Sequence, residues 1–203
     1  MTRTLPRGLD ALELAGRRVL CRVDFNVPIK DGVIGDDTRI RAALPTIGAL
    51  REAGARVILC AHLGRPKGAP DPAASLEPVR ERLTDLLGIP VAFAADCVGE
   101  VAERAAGELR DGDVLLLENV RFHAGETANE PAFAAALAKL AEVYVDDAFG
   151  AAHRAHASTE GVAHLLPSAA GLLLEAELKA FASLLDQPQH PFVVVIGGVK
   201  VAD

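Results

Sequence analysis

Residues 18–23 read Arg-Val-Leu-Cys-Arg-Val, a largely continuous apolar run of strand length that ends at Asp24. Continuous runs, unlike alternating ones, are typical of strands in a parallel sheet that is covered on both faces. Further runs of this kind occupy residues 56–61, 90–93, 113–117, 143–147 and 192–196. The repeated pattern predicts a buried parallel sheet.

Helical segments separate these strand-like runs. Apolar residues recur at helical spacing over 40–53, 76–87, 98–108, 130–140 and 172–185, and Pro or an acidic residue opens several of these segments. Alternation of strand and helix is typical of right-handed βαβ units. We therefore predict an α/β fold, a three-layer, doubly wound, Rossmann-like domain with a parallel sheet.

The segment Gln187-Pro-Gln-His-Pro191 is the best domain boundary, because its two prolines interrupt regular structure between a long helix and a last strand. We predict a first domain over 1–170, a connecting helix over 171–187 and the start of a second domain over 188–203. The orphan strand at 192–196 is then expected to expose apolar side chains. The alternative is an edge strand that closes the first sheet.

Composition excludes several classes of protein. The chain has 203 residues, 50% hydrophobic and 24% charged, which suffices for one domain and part of another. Its net charge of -7 argues against nucleic acid or an anionic membrane as the main partner. Cys21, Cys60 and Cys97 are odd in number and widely spaced, which indicates reduced thiols. With no apolar run of membrane-spanning length and no signal peptide, we predict a cytoplasmic protein.

Arginines follow three of the predicted strands. Arg65, Arg121 and Arg154 each come soon after a strand-like run, and ligands of open α/β sheets bind outside the carboxyl ends of the strands. Each arginine alone is commonly a solvated surface charge, but a planar guanidinium also binds carboxylate or phosphate through two parallel hydrogen bonds. Their shared position predicts a site for a small substrate that carries more than one negative charge.

Other polar residues near these strand ends have simpler explanations as well. Arg39 is a fourth candidate, although a salt bridge to Asp36 or Asp37 would explain it. Asp24 and Asn26 could bind a substrate hydroxyl or could bond within their own turn. The remaining candidates are histidines: His62 could help to hold an anion or be structural, and His153 with His156 lacks a third ligand for a metal site.

Common catalytic motifs are missing from the sequence. Gly64-Arg-Pro-Lys-Gly68 lacks the four-residue gap and the terminal Lys-Ser/Thr of a Walker A loop. Neither a G-x-S-x-G elbow nor a G-x-G-x-x-G fingerprint occurs. These absences weaken hydrolase and dinucleotide-binding interpretations.

Six segments, in this order, resemble the successive signatures of the phosphoglycerate kinase family. They are residues 23–28 (Val-Asp-Phe-Asn-Val-Pro), 37–40 (Asp-Thr-Arg-Ile), 62–66 (His-Leu-Gly-Arg-Pro), 116–123 (Leu-Leu-Glu-Asn-Val-Arg-Phe-His), 152–158 (Ala-His-Arg-Ala-His-Ala-Ser) and 197–201 (Gly-Gly-Val-Lys-Val). The resemblance covers essentially the whole chain. Departures occur at Asp146, Ala151 and Val199, where the family usually has Asn, Thr and a smaller Ala or Ser.

The resemblance implies phosphoryl transfer between 1,3-bisphosphoglycerate and ADP, which gives 3-phosphoglycerate and ATP. It implies Mg²⁺ bound with the nucleotide, mainly by family segments that follow residue 203, and a monomer when complete. Arg39 and Lys200 would be catalytic, and Gly197, Gly198 and Lys200 would contact the nucleotide. The residues implied to bind 3-phosphoglycerate are Asp24, Phe25, Asn26, Arg39, His62, Leu63, Gly64, Arg65, Arg121 and Arg154, and none is implied to bind a metal.

The implied chemistry agrees with the residues at hand. In the ATP-consuming direction the nucleophile is a carboxylate, which is already ionised at neutral pH. Phosphoryl transfer then needs alignment and positive charge rather than a general base. Since the family continues well beyond residue 203, we expect this chain alone to bind 3-phosphoglycerate weakly and to be inactive. The alternative is a free-standing anion-binding module without catalysis.

Overall fold

The computed structural model describes residues 6–186 and 190–195. Within these ranges the strands are β1 Arg18–Arg22, β2 Ile29–Lys30, β3 Val33–Ile34, β4 Arg56–Cys60, β5 Val91–Ala94, β6 Val114–Leu117, β7 Val143–Asp146 and β8 Ser168–Ala170. The α-helices are α1 Thr38–Glu52, α2 Glu77–Leu87, α3 Gly99–Gly107, α4 Ala124–Thr127, α5 Pro131–Ala138, α6 Phe149–Ala152 and α7 Leu172–Asp186.

Six of the strands form one parallel sheet in the order β5-β6-β4-β1-β7-β8. Strand β1 is central, and its Cys21 lies beside Leu59 of β4 and Val145 of β7. The predicted parallel, doubly wound α/β fold is confirmed. Strand β8 was not predicted because its sequence, Ser-Ala-Ala, is short and weakly apolar. The remaining strands, β2 and β3, form a separate antiparallel hairpin.

The two faces of the sheet bury two separate cores. Val19 and Cys21 of β1 point into a core with helices α1 and α2, whereas Leu20 between them points into a core with α3 and α5. Both faces of the central strands are fully buried, which is why their sequences are continuous rather than alternating. All three cysteines are buried and free, in agreement with the expectation of reduced thiols.

The amino end of α7 is fixed to the carboxyl edge of the sheet by two buried residues. Thr46 Oγ1 accepts a hydrogen bond from Leu172 N at 3.0 Å, and Asp147 Oδ1 accepts one from Leu173 N at 2.9 Å. These bonds satisfy backbone donors that a helix leaves unpaired in its first turn. Burial raises the pKa of Asp147 to about 6, against the effect of its hydrogen bonds.

The end of the chain differs from its prediction. Across the described residues 192–195 of the predicted strand 192–196 there is no strand, and the edges of the sheet are β5 and β8. Phe192, Val193, Val194 and Val195 are 46%, 76%, 63% and 90% exposed, as expected for an apolar segment without a partner. An extended segment that finds no neighbouring strand cannot pair its backbone groups, so apolar composition alone does not make it a strand.

Within the described ranges, no helix is both long enough and apolar enough to pass through a membrane.

Candidate anion-binding site

The candidate site lies at the carboxyl edge of the sheet, where the loops after β1, β4, β6 and β7 meet. The chain leaves β1 toward β4 on one side and leaves β7 toward β8 on the other, although β1 and β7 are neighbours. Such a reversal opens a crevice at the strand ends, which is where open α/β sheets bind ligands. Most of the predicted site residues lie in these four loops.

The loop after β1 is joined to its neighbours through Asp24 and Asn26. Asp24 Oδ1 accepts a hydrogen bond from Asn26 N at 3.1 Å, and Asn26 Oδ1 accepts one from Gly64 N at 2.9 Å. Arg39 Nη1 donates to Asp24 Oδ2. A Cβ atom at Gly150 would lie 2.8 Å from Asp24 Oδ2, so only a glycine lets α6 approach this pair so closely. Local turn bonding and contacts across the site therefore coexist here.

The simpler explanation of Arg39, a salt bridge to Asp36 or Asp37, is wrong. Asp36 instead accepts hydrogen bonds from the backbone and hydroxyl of Thr38. Asp37 pairs with Arg41 at 2.9 Å and with Arg82 at 2.7 Å. Both carboxylates are occupied, and the Arg39 side chain, 54% exposed, lies against Asp24 at the site.

The arginines that follow three separate strands line one cavity of about 400 Å³. Arg65 follows β4, Arg121 follows β6 and Arg154 follows α6. The prediction that these three charges converge is confirmed by this cavity. Pro66, Thr127 and His156 complete its lining. A concave surface with three guanidinium groups and no carboxylate in its lining favours an anion.

Arg121 is held in place by the protein, because it is only 6% exposed. Its Nη1 donates to Gly64 O at 2.7 Å, while its Nε is buried with no partner among the described residues. Its backbone N donates to Asn119 Oδ1 at 3.1 Å. Burial, and then the charges of Arg154 and Arg22, lower the pKa of Arg121, but an arginine remains charged in proteins.

Two residues of the implied set turn their side chains away from the site. Phe25 is fully buried and Leu63 is 5% exposed, and both pack in the core on the α1 and α2 face. The carbonyl of Leu63 is also occupied, since it accepts a hydrogen bond from Asn119 Nδ2 at 2.8 Å. Any contact of these two residues with a ligand would come from their backbone. Their side chains position the loops that carry Asp24 and Gly64.

Sequence reasoning did not find the buried network behind the cavity. Arg22, 1% exposed, donates from Nε to Ser158 Oγ at 2.9 Å, and Ser158 Oγ donates to Glu126 Oε1 at 2.6 Å. Ser158 N donates to the other carboxylate oxygen, Oε2, at 2.9 Å. The available signal was Arg22, an arginine at the far end of a strand whose other residues after Arg18 are apolar, since a buried charge almost always needs a partner.

His62 lies against this network, and it is 6% exposed. Its Nδ1 lies 2.9 Å from Arg22 Nη2. Burial, and then the charges of Arg22, Arg121 and Arg154, lower the pKa of His62 to about 2. The imidazole is therefore neutral at any ordinary pH, and its role is that of a hydrogen-bonding group rather than a cation.

One group of potential metal ligands occurs among the described residues, namely Asp96, Cys97 and His123. His123 Nε2 and Asp96 Oδ1 lie 2.7 Å apart and satisfy each other. A thiol and an imidazole suit zinc or softer ions, whereas Mg²⁺ prefers oxygen ligands. This group therefore does not fit the Mg²⁺ that accompanies a nucleotide. The pair considered from sequence, His153 and His156, is not part of it.

Gly197, Gly198 and Lys200 lie outside the described residues. Their predicted contacts with a nucleotide, and the catalytic role of Lys200, stay predictions from the sequence.

Comparison with known proteins identifies the family. The family model described as phosphoglycerate kinase matches residues 9–203. The phosphoglycerate kinase of Moorella thermoacetica is 59% identical over 195 residues, which are 96% of this chain and 50% of that protein. That of Dictyoglomus turgidum is 56% identical over 191 residues, 94% of this chain and 48% of that protein.

Solved structures lead to the same family. Phosphoglycerate kinase from Coxiella burnetii superposes with a TM-score of 0.83 at 39% identity, covering 92% of this chain and 47% of that one. The Pyrococcus horikoshii structure gives a TM-score of 0.84 at 33% identity, covering 91% and 47%. The chain thus spans about half the length of the curated relatives it matches. Sequence and fold together show that the chain belongs to the phosphoglycerate kinase family.

Proposed function

We propose that the cavity lined by Arg65, Arg121 and Arg154 binds 3-phosphoglycerate, the product and acceptor of phosphoryl transfer between 1,3-bisphosphoglycerate and ADP. The observation that carries this proposal is the convergence of three guanidinium groups from three different loops on one cavity. 3-Phosphoglycerate carries a phosphate and a carboxylate, both of which arginine binds through paired hydrogen bonds. Membership of the family supports this ligand over other small dianions.

Asp24 and Arg39 form a second cluster in the site, which suits the reacting end of the substrate. Asp24, after β1, and Arg39, in the first turn of α1, lie against each other, and Gly150 approaches both closely. In the proposed reaction the carboxylate of 3-phosphoglycerate attacks the terminal phosphorus of ATP, and it needs no general base because it is already ionised. Arg39 would stabilise the negative charge on the transferring phosphoryl group.

The complete reaction needs groups that this site does not supply. Gly197, Gly198 and Lys200 are proposed to approach the nucleotide phosphates, on the strength of their sequence motif alone. Mg²⁺ would supply charge neutralisation of the nucleotide phosphates, and the residues of this site do not fit it, so no step is assigned to it here. We accordingly propose that the 203-residue chain binds 3-phosphoglycerate but does not turn it over. We also propose a cytoplasmic location, which the three buried free thiols support.

Isothermal titration calorimetry of the chain with 3-phosphoglycerate tests the proposal. We expect measurable binding that Arg65→Ala and Arg154→Ala each weaken by about tenfold, the contribution of one charge-assisted hydrogen bond. The matched control is Arg56→Ala, because Arg56 is a partly exposed arginine, ion-paired to Asp111 at 2.8 Å, that opens β4 at the opposite edge of the sheet. Binding that neither Arg65→Ala nor Arg154→Ala reduces would disprove the site.

A coupled assay for nucleotide-dependent turnover tests the second part of the proposal. Binding without turnover is the expected result, while turnover by the purified chain would show that the described site and its own residues suffice for catalysis. Lack of both binding and turnover would reject the proposed ligand for this chain.

A further inference from the structure

The imidazole of His62 has two distinct sides. Its Nδ1 lies 2.9 Å from Arg22 Nη2 inside the protein. Among the described residues, no protein group bonds to its Nε2. Nε2 is not among the buried atoms that lack a partner, so it reaches the surface, and His62 lies in the same loop after β4 as Arg65, which lines the cavity. One nitrogen is therefore occupied by the protein and the other is available to a ligand.

The contact with Arg22 determines which nitrogen carries the proton. A guanidinium has only N–H donors and no acceptor, so the nitrogen that it meets must be the unprotonated one. Nδ1 is that nitrogen, and the single proton of the neutral ring is then on Nε2. Arg22 cannot rotate away, because its Nε donates to Ser158 Oγ and its Nη1 donates to Val23 O.

We propose that Arg22 is a positioning residue that holds His62 as the Nε2–H tautomer, so that His62 donates a hydrogen bond to an oxygen of the bound anion. The identity of that anion rests on the proposed function, whereas the tautomer does not. Ionised phosphate and carboxylate oxygens only accept hydrogen bonds, and the opposite tautomer would aim a lone pair at them. Arg22 thus acts on the ligand through His62, without touching it.

The surrounding charges support a neutral His62. The groups that face it are Arg22 of β1, Arg121 after β6, Arg154 after α6 and His156 beyond it, and all of them disfavour a second proton on the ring. Glu126, the buried carboxylate linked to Arg22 through Ser158, is occupied by the hydroxyl and the backbone N of Ser158. Glu126 balances the charge of Arg22 through that hydroxyl, so it does not draw a proton onto His62.

Nuclear magnetic resonance of the unaltered chain tests the tautomer directly. Long-range proton–nitrogen spectra distinguish a protonated from an unprotonated ring nitrogen, and loss of one signal set in His62→Gln assigns His62. We expect unprotonated Nδ1 and protonated Nε2 from pH 5 to pH 8, with no ligand present. A proton on Nδ1, or a ring that becomes charged within this range, would overturn the proposal.

A charge-neutral double variant tests the role of Arg22. Arg22→Met with Glu126→Gln removes both buried charges together, because removing one alone would leave the other unpaired. We expect His62 to sample both tautomers in this variant, and the variant to bind 3-phosphoglycerate about tenfold more weakly at pH 7. Arg22→Lys, which keeps a charged donor, is the conservative control and should retain the Nε2–H tautomer.

The outcomes separate this inference from the proposed function. If His62 stays neutral with Nε2–H in the double variant, Arg22 does not set the tautomer and the inference is wrong. If the tautomer responds as expected while the unaltered chain fails to bind 3-phosphoglycerate, the proposed ligand is wrong and the control of His62 by Arg22 stands.

Discussion

Two groups of arginines surround the same cavity and differ in how the protein treats them. Arg22 and Arg121 are 1% and 6% exposed, and both donate to fixed protein groups: Arg22 to a hydroxyl, an imidazole and a backbone carbonyl, and Arg121 to a backbone carbonyl. Arg39, Arg65 and Arg154 are exposed. Of these three, Arg39 pairs with Asp24, while Arg65 and Arg154 line the cavity.

The difference separates the shaping of the site from the binding of the ligand. Arg121 ties the loop after β6 to Gly64, and Asn26 ties Gly64 to the loop after β1, so these two contacts together join three loops. The exposed arginines keep donors free for an anion. Substitutions in the buried group should therefore change both folding stability and binding, and substitutions in the exposed group should change binding alone.

The largest effect is expected from Glu126→Ala. Glu126 is fully buried and is the carboxylate that balances Arg22 through Ser158. Its removal takes away the carboxylate that is linked to Arg22 through Ser158 and leaves two buried donors of Ser158 without an acceptor, so we expect a loss of about 3 kcal/mol. Urea denaturation followed by circular dichroism measures the free energy of unfolding. A loss below about 1 kcal/mol would mean that Arg22 does not depend on this partner.

Arg121→Ala should rank second and should affect two properties at once. It removes the bond to Gly64 O and one charge from the cavity, so we expect a loss of about 2 kcal/mol in unfolding free energy and of tenfold or more in 3-phosphoglycerate affinity. Denaturation and calorimetry on the same preparation measure both. The matched comparison is Arg65→Ala, whose stability should stay within about 0.5 kcal/mol of the parent chain. Equal stability losses would erase the distinction between the two groups.

Lowering the pH should reduce the folding stability through His62, because burial and the cationic groups around this ring oppose its protonation. The pKa of His62 is about 2 in the folded state and about 6.5 in an unfolded chain. Below pH 6.5 the ring takes up a proton in the unfolded chain but not in the folded one, so the stability associated with this group is complete only above pH 6.5. That stability is lost as the pH falls, by up to about 1.4 kcal/mol per pH unit. Denaturation at pH 7, 6 and 5 should show a steeper decline for the parent chain than for His62→Gln.

Asp147 changes the folding stability in the opposite direction over part of this pH range, so the comparison with His62→Gln is needed. Its folded pKa, about 6, is raised above the unfolded value, so its contribution to stability is present at low pH and is lost as the pH rises through 6. Both chains share this contribution, and it cancels in the difference between them. Parallel pH profiles for the two chains would contradict the assignment of a depressed pKa to His62.

The smallest effect is expected from Asp24→Asn, which weakens the exposed ion pair with Arg39. Exposed ion pairs contribute about 0–1 kcal/mol, and the Arg39 side chain is 54% exposed. The melting temperature, measured by calorimetry, should therefore change little. A destabilisation above about 2 kcal/mol would place Asp24 and Arg39 with the buried group and remove the basis of the comparison.

The sequence predicted much of this site because the fold makes strand ends converge. Arg65, Arg121 and Arg154 were identified by their position after strands, and any parallel sheet brings such positions to one edge. The pairing of Arg39 could not be chosen in the same way, because Asp36 and Asp37 are close in sequence and Asp24 is not. The chain folds so that the near carboxylates meet Thr38, Arg41 and Arg82 instead.

The strand prediction is limited in the same way, because it depends on partners that are distant in the sequence. Five apolar runs became strands of one sheet, and the run at 192–196 did not, over its described residues, although its composition is as apolar as theirs. A strand requires a neighbour to pair its backbone groups, and composition carries no information about neighbours. Strand β8 is the converse case, since Ser-Ala-Ala is a strand because β7 lies beside it.

By itself, the sequence determined the parallel α/β fold, the edge at which the site lies and the family, because these depend on periodicity and on motifs read in order. Only the tertiary structure decided that Arg22 would be buried, that Ser158, 136 positions away, would link it to Glu126, and that its remaining donor would meet His62. Such contacts depend on strand register and loop path, which bring distant residues within 3 Å without leaving a local pattern in the chain.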